Sequence, residues 1–517
     1  MKLIIIGGGI TGLSAAYYAR KKSSDARITV LESAGYWGGK IVTDRVRTSD
    51  LYGRPGAGTP FVPRTPAARR CETASPAPTD DLFIIEGGPD TFLATKPWGV
   101  TLCRELGLGE RLQGTNPYQR NTYVLHRGRL EPLPDGLAMM VPARIQPMLA
   151  TRLLSWPQKA RMSLDFLLPP RPLDGDESLG NFISRRLGRA AYENLIEPLM
   201  SGIYAGDGDQ LSLQATFPYL RDLERKHGSL ARGAMETASA AQSNGKAVQG
   251  SRSAFLTPAT GLAEIIEALV THLTQNDIDL RLNSPVKSVK SNSLTPDTWH
   301  VTLDNGATLE ADAVILASPA HSSATLLASF DPALAAELAA IPYTQTATVS
   351  LAYYQSDLPR PLEGYGYVNP RREGRRALAC TWTSTKFPHR APEGHALLRI
   401  FVGRAGQETD IAWDEASLLE LAREELQLTL GINAEPLLAR VFIWDKAMPQ
   451  YNLGHPERLE RIDALVANQP GLALAGAGYR GIGIPDCIHS GELAVEKILN
   501  NLSLRAVLWR SNLPFIG

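Results

Sequence analysis

Cysteine is scarce. Among 517 residues there are only 4, Cys71, Cys103, Cys380 and Cys487, and no two form a CxxC pair. That excludes a zinc ribbon and a disulfide framework, and it fits a reducing compartment. An excess of one charge is lacking too. Lys plus Arg and Asp plus Glu both number 53, so the formal net charge is zero and no global field draws the chain to nucleic acid or an anionic membrane. No apolar stretch approaches the ~18 residues of a membrane span. The first apolar run is too short for a signal peptide and has no cleavage-like segment after it. A cytoplasmic protein is expected, with weak peripheral membrane contact at most. Several catalytic motifs are missing, among them GxSxG and HExxH. Gly245-Lys246 is followed by Ala247 and has no Gly five residues earlier, so it is not a P-loop. His389 and His395 are close in sequence but have no evident third ligand, so no metal site is expected.

What is present begins at once. Leu3 to Ile6 is a short apolar run, glycines follow at Gly7, Gly9 and Gly12, and a helical pattern runs from Ile10 to about Lys21. A second apolar run, Ile28 to Leu31, ends on Glu32, 20 residues past Gly12. This order is strand, tight turn, helix, strand, acid. It is the pattern of a dinucleotide site, with the helix N-terminus facing a pyrophosphate and the acid accepting from a ribose hydroxyl. Tyr36-Trp37-Gly38-Gly39-Lys40 comes next, and its glycine pair allows a second close approach of backbone to the dinucleotide. Two glycines and a base at this offset resemble the FAD-dependent amine oxidase and porphyrinogen oxidase superfamily.

The rest of the chain sorts by pattern. Residues 46–81 are rich in Pro, Ala and Arg, without periodicity, and read as a surface loop insertion. Leu82 to Glu86 reads as a strand, Pro97 to Leu106 as a helix closed by Gly107, and Thr122 to Leu130 as a hairpin through Arg127-Gly128. From Pro142 to Ala205 the pattern is helical in pieces broken by prolines, whereas 227–253 is polar, Gly/Ser/Ala-rich and reads as a loop. A helix from Gly261, strands near 279–289, and a hairpin through Asp304-Asn305-Gly306 lead to a buried strand, Ala313 to Ala317. Tyr343 to Tyr354 and Ala377 to Arg404 are strand-rich. Leu472 to Gly476 is another buried strand, and a helix from Pro485 to Leu499 follows the glycines at 478, 481 and 483.

The stretches GGGITGLSAAYY, GGKI, EGGPDTFLATKP, NLIEPLMSGIYAGDGDQLSLQATFP, CTWTSTKFPHRAPEGHALLR, WDKAMPQYNLGH and GYRGIGIPDCIHSGE resemble the bacterial oxygen-dependent porphyrinogen oxidases of haem synthesis. They span almost the whole chain. The resemblance implies an amine-oxidase-like architecture, α/β plus α+β. A Rossmann-like FAD-binding domain would take 1–96, 252–320 and 468–503. A sheet-plus-helices substrate domain would take 97–135 and 321–467, and a helical substrate- or membrane-facing subdomain 136–235.

Site residues carry over only through those motifs. Gly7, Gly8, Gly9, Thr11, Gly12, Glu32 and Ser33 would hold the ADP part of FAD. Gly39, Lys40 and the turn Gly88, Pro89, Asp90, Thr91 would line the flavin side. Val286 would meet the adenine through its backbone. Trp444, Gly476, Ile482, Gly483 and Ile484 would pack against the cofactor. Lys96 would pair a substrate propionate, and Gly202, Ile203 and Tyr204 would line the porphyrinogen pocket. No side-chain base is assigned, because the implied chemistry is hydride transfer to flavin N5 with O2 as acceptor and H2O2 as product. The implied substrate is coproporphyrinogen III, with protoporphyrinogen IX as the alternative, or another flavin amine oxidase or desaturase activity on the same fold. Hand-off of the product to a haem-pathway chelatase is a further implied partnership.

Overall fold

The computed structural model describes all residues except 53–80, 136, 139, 172–174, 244–252, 292–297 and 512–517. Strand β1 (Lys2–Ile6) lies at the centre of a five-stranded parallel sheet. The order is Asp279–Arg281, β2 (Arg27–Leu31), β1, Ala313–Leu316, Leu472–Leu474. The apolar run of β1 is buried on both faces, as a central parallel strand must be. Between β1 and β2 runs helix α1 (Ile10–Lys22), which carries Arg20, Lys21 and Lys22 in its last turn, where they favour the negative end of the helix dipole. On one face of the sheet α1 packs with the helices Ala263–Gln275 and Ile484–Ser511. On the other lie the Val286–Ser291, Trp299–Leu303 and Thr308–Ala311 strands and the helices Ala320–Leu327 and Pro332–Ala339.

A second sheet has seven strands, in the order Leu438–Pro449, Tyr343–Tyr354, His395–Val402, Ala377–Trp382, Gly366–Val368, Thr122–His126, Arg129–Pro132. Alternation along its long strands sends Val349, Leu351, Leu398 and Ile400 into a core with helix Glu415–Leu430. The opposite face meets the end of strand β4 (Leu82–Glu86), which pairs antiparallel with β3 (Thr43–Arg47). A third core is mostly helical, built largely from elements between Ile145 and Ser243 with Val124, Val141 and Tyr451, and it contains Phe182, Leu195, Met200 and Tyr204. At its centre Arg186 and Asp165, both fully buried, form an ion pair at 2.6 Å.

Three sequence expectations are corrected. The segment read as an insertion from residue 46 begins later. Val46 and Arg47 complete β3, with Val46 buried beside Phe83 and Ile85, and Thr48–Tyr52 is a short helix. The remainder, 53–80, lies outside the described residues. The loop expected over 227–253 is helical from Leu230 to Ser243. Asp165 stabilises its start by accepting from Ser229 Oγ at 2.6 Å and Ala231 N at 2.9 Å, while Leu230 and Ala234 enter the helical core. Its small residues hid that apolar stripe. The final helix also runs past Leu499, to Ser511.

Candidate active site

The first turn is built as a cradle. Gly7 has φ 114°, which a side chain rarely adopts, and a Cβ there would lie 2.7 Å from Ala317 O. A Cβ on Gly12 would overlap Gly7 O, so α1 packs directly on the turn. Gly9 differs, since a Cβ there would meet nothing within 4 Å. It opens α1, whose N-terminus has no side-chain cap and no acid in its first turn. Those amides are left to an anion. Glu32 accepts from Gly8 N at 2.6 Å and Ala34 N at 2.8 Å, and Ser33 Oγ donates to it at 3.1 Å. Gly38 N donates to Gly8 O, which brings Gly39 and Lys40 alongside the turn. The segment leading to Val286 is tied in through Ser284 N, which donates to Glu32 O at 2.8 Å. Thr11 is buried on α1 and faces the last helix, where a Cβ on Gly491 would lie 2.5 Å from Thr11 O.

A second edge is made by the loop after β4. Gly87 O accepts from Thr348 Oγ1 at 3.0 Å and from Trp444 Nε1 at 2.8 Å. Gly88 O accepts from Arg399 Nη2, and a Cβ on Gly88 would overlap Lys40 O. Pro89 is half-buried. Asp90 is committed elsewhere: Lys386 Nζ lies 3.1 Å away and Thr91 Oγ1 donates to it at 3.0 Å. Burial would raise its carboxyl, but Lys386, Arg399 and Arg390 hold it well below the usual carboxylate range. Among the described residues Lys40 has no carboxylate in contact. Its Nζ donates to Ala447 O, and burial pushes its pKa down to about 8.

The family model for flavin containing amine oxidoreductases matches residues 10–499. The chain belongs to that family. The glycine cradle, the open space at Gly9 and the uncapped helix start fit the phosphate of a flavin cofactor. A coproporphyrinogen III oxidase from Bacillus subtilis is 36% identical over 97% of this chain and 98% of its own length. One from Propionibacterium freudenreichii is 34% identical, over 96% and 90%. Human protoporphyrinogen oxidase is 29% identical over 96% and 98%. A crystal structure of a putative protoporphyrinogen oxidase from Exiguobacterium superposes with a TM-score of 0.78 at 32% identity, over 97% and 99%. Putrescine oxidase, at 15% identity and a TM-score of 0.60, shares the fold.

Within this flavoprotein the remaining expected residues form a third group. Tyr204 is buried and meets Phe217 and Tyr451 edge to face, at 5.6 and 6.2 Å. Tyr451 OH donates to Ala477 O at 2.6 Å and accepts from Gly481 N at 2.8 Å, which links Tyr204's helix to the C-terminal glycine turn. Gly476 N in that turn donates to Ser490 Oγ at 2.9 Å. Ile482 packs on the helical core, whereas Ile484 is buried against the α1 core, and Gly483 lies between them. Gly202 faces open space, and Ile203 is exposed. Lys96 is not a free cation: its Nζ lies 2.6 Å from both oxygens of Asp486. A substrate carboxylate would share Lys96 with Asp486.

Sequence reasoning missed Arg399, Arg390 and Lys386, which surround Gly88 and Asp90. The available signal was Arg399 itself, a charged residue inside an otherwise apolar strand, HALLRIFV.

Proposed function

We propose that the protein oxidises coproporphyrinogen III to coproporphyrin III, with FAD as its flavin, O2 as electron acceptor and H2O2 as product. The observation that carries this is the 36% identity maintained over nearly the full length of a coproporphyrinogen III oxidase. The macrocycle loses six electrons, so three O2 are consumed for each porphyrin released. Bound FAD would supply the two-electron acceptor and its reoxidation by O2. The chain's own residues bind and orient. The α1 amides hold the pyrophosphate and Glu32 takes a ribose hydroxyl. Lys40, Gly88 and Trp444 fix the ring side, and Tyr204 and Ile203 give an apolar wall for the macrocycle. No carboxylate or imidazole is assigned as a base, and the pyrrole protons leave through the substrate's own tautomers or water. Exposed Ile145, Leu149, Trp156 and Leu167 on the helical part support peripheral membrane contact, next to which the product would pass to a chelatase. Protoporphyrinogen IX is the second substrate to compare, because the human protoporphyrinogen oxidase is similar over almost its full length.

Aerobic turnover of the two porphyrinogens side by side tests this through porphyrin fluorescence and peroxide yield. Faster oxidation of coproporphyrinogen III is expected. Turnover of protoporphyrinogen IX alone would reverse the choice of substrate, and turnover of neither would overturn the reaction.

Two predictions belong here. Lys40 faces the dinucleotide as a cation with no carboxylate partner among the described residues, so retention of FAD should fall as pH rises through about 8, and Lys40→Met should flatten that fall. Flavin released on dilution across pH measures it. The stability sign is opposite. The folded value lies below that of the unfolded chain, so the unfolded state binds more protons above about pH 8 and the apoprotein gains stability there. For Lys96→Ala, the side chain is 41% exposed, so about 0.2–1 kcal/mol is at stake, roughly up to a fivefold rise in KM. The rise should be larger for coproporphyrinogen, which has four propionates, than for protoporphyrinogen, which has two. Flavin content should stay unchanged.

A further inference from the structure

Arg399 is only 2% exposed and stands on the strand His395–Val402. In the antiparallel register it is opposite Ser350, while Phe401 is opposite Thr348. Paired residues share a face of the sheet. Thr348 donates to Gly87 O, so Arg399 and Phe401 also point to the cofactor side, away from helix Glu415–Leu430.

The guanidinium is sparsely held for its depth. Nη2 donates to Gly88 O, and neither Nε nor Nη1 has a partner among the described residues. The two nearby carboxylates are occupied. Asp90 pairs with Lys386, and Glu86 binds Arg390 at 3.2 Å, Thr43 at 2.6 Å and Leu262 N at 2.8 Å. Among the described residues the cluster of Lys386, Arg390 and Arg399 therefore has one cation more than its two carboxylates, Asp90 and Glu86. A buried charge with unused donors is costly until an anion answers it. Beside the guanidinium the surface turns apolar. The Phe401 ring centroid lies 4.7 Å from it, and Phe401 packs with Met448, Ala379 and Ala205, the residue that follows Tyr204. An anion-binding point thus adjoins an apolar strip leading to Tyr204.

We propose that Arg399 anchors one carboxylate of the substrate, its unused donors taking the acid while Phe401 and its neighbours take the adjoining apolar ring. The chemistry recognised is a carboxylate on a flat apolar body. That this body is a porphyrinogen rests on the function proposed above. Arg399 is a substrate-binding residue on these grounds, and a charge developing on the flavin is the competing destination for its cation.

Coproporphyrin III, which is not turned over, and its tetramethyl ester separate these cases when titrated against holoenzyme by fluorescence. Arg399→Gln should weaken the tetra-acid at least tenfold, leave the ester unchanged, and leave the flavin midpoint potential where it was. Arg399→Lys, which keeps the charge but loses the planar donors, should weaken the tetra-acid at least threefold. It decides the matter if Arg399→Gln does not retain flavin. Wild-type affinity of these variants for the tetra-acid would overturn the assignment. So would a fallen potential with unchanged affinity, which would place the anion on the flavin. If wild-type enzyme binds no porphyrin, the proposed function fails and this anchor with it. If wild type binds and the variants match it, only the anchor fails.

Discussion

Gly9→Val is expected to give a folded, colourless protein. The backbone at Gly9, φ −74° and ψ 178°, suits a β-branched residue, and the added Cβ meets nothing within 4 Å. The apoprotein therefore loses little. The methyl groups instead fill the space in front of the first α1 amides, where the pyrophosphate is proposed to sit. A loss of at least a hundredfold in FAD affinity should follow, about 2.7 kcal/mol. Visible flavin absorbance of the purified protein, compared with its circular dichroism, measures this directly. Gly12→Ala is the contrasting change. Its Cβ would overlap Gly7 O, so soluble protein itself should be lost. Stoichiometric flavin in folded Gly9→Val would mean that the pyrophosphate lies elsewhere.

Asp165→Ala should destabilise the protein by about 3–5 kcal/mol, the cost of stranding one partner of a buried pair. Asp165 and Arg186 are both 0% exposed, and Asp165 is the carboxylate in hydrogen-bond contact with the guanidinium, through Nε at 2.6 Å. Glu224, at 3.6 Å, is already bound by Arg185 at 2.5 Å. The same substitution removes both bonds that Asp165 makes to the start of helix Leu230–Ser243, leaving Ser229 Oγ to accept from Arg232 N at 3.1 Å. Denaturant unfolding of wild type, Asp165→Ala and Asp165→Asn would measure the effect, with the amide intermediate because it keeps an acceptor. A loss within 1 kcal/mol of wild type would show that backbone carbonyls such as Gly228 O, 2.7 Å from Arg186, suffice to hold the guanidinium.

The parts of the site legible in sequence share one property: they are local. Gly7, Gly12 and Glu32 fall at spacings set by a strand, a turn and a helix, so one stretch of 32 residues displays them. Pairing of Arg399 with Gly88, or Arg390 with Glu86, joins positions about 300 residues apart, and no local pattern encodes it. Lys96 looked like a free cation because Asp486, its partner, is 390 positions away. Helix Leu230–Ser243 was hidden for another reason. Its Ala, Ser and Gly residues give little hydropathy contrast, and its place is fixed by Asp165 and by close packing of Leu230 and Ala234.

The first sheet is assembled from three distant parts of the chain, and its edge strand Leu472–Leu474 and the helix from Ile484 come last. That helix closes on α1 at Gly491, where backbone approaches backbone. A ribosome making roughly 5–20 residues each second delivers this closure tens of seconds after the Gly7 turn has emerged. Until then the cradle lacks one wall, and the nascent chain has a glycine turn without a finished cofactor site. A chain halted before residue 472 lacks that wall and should therefore carry no stably bound flavin.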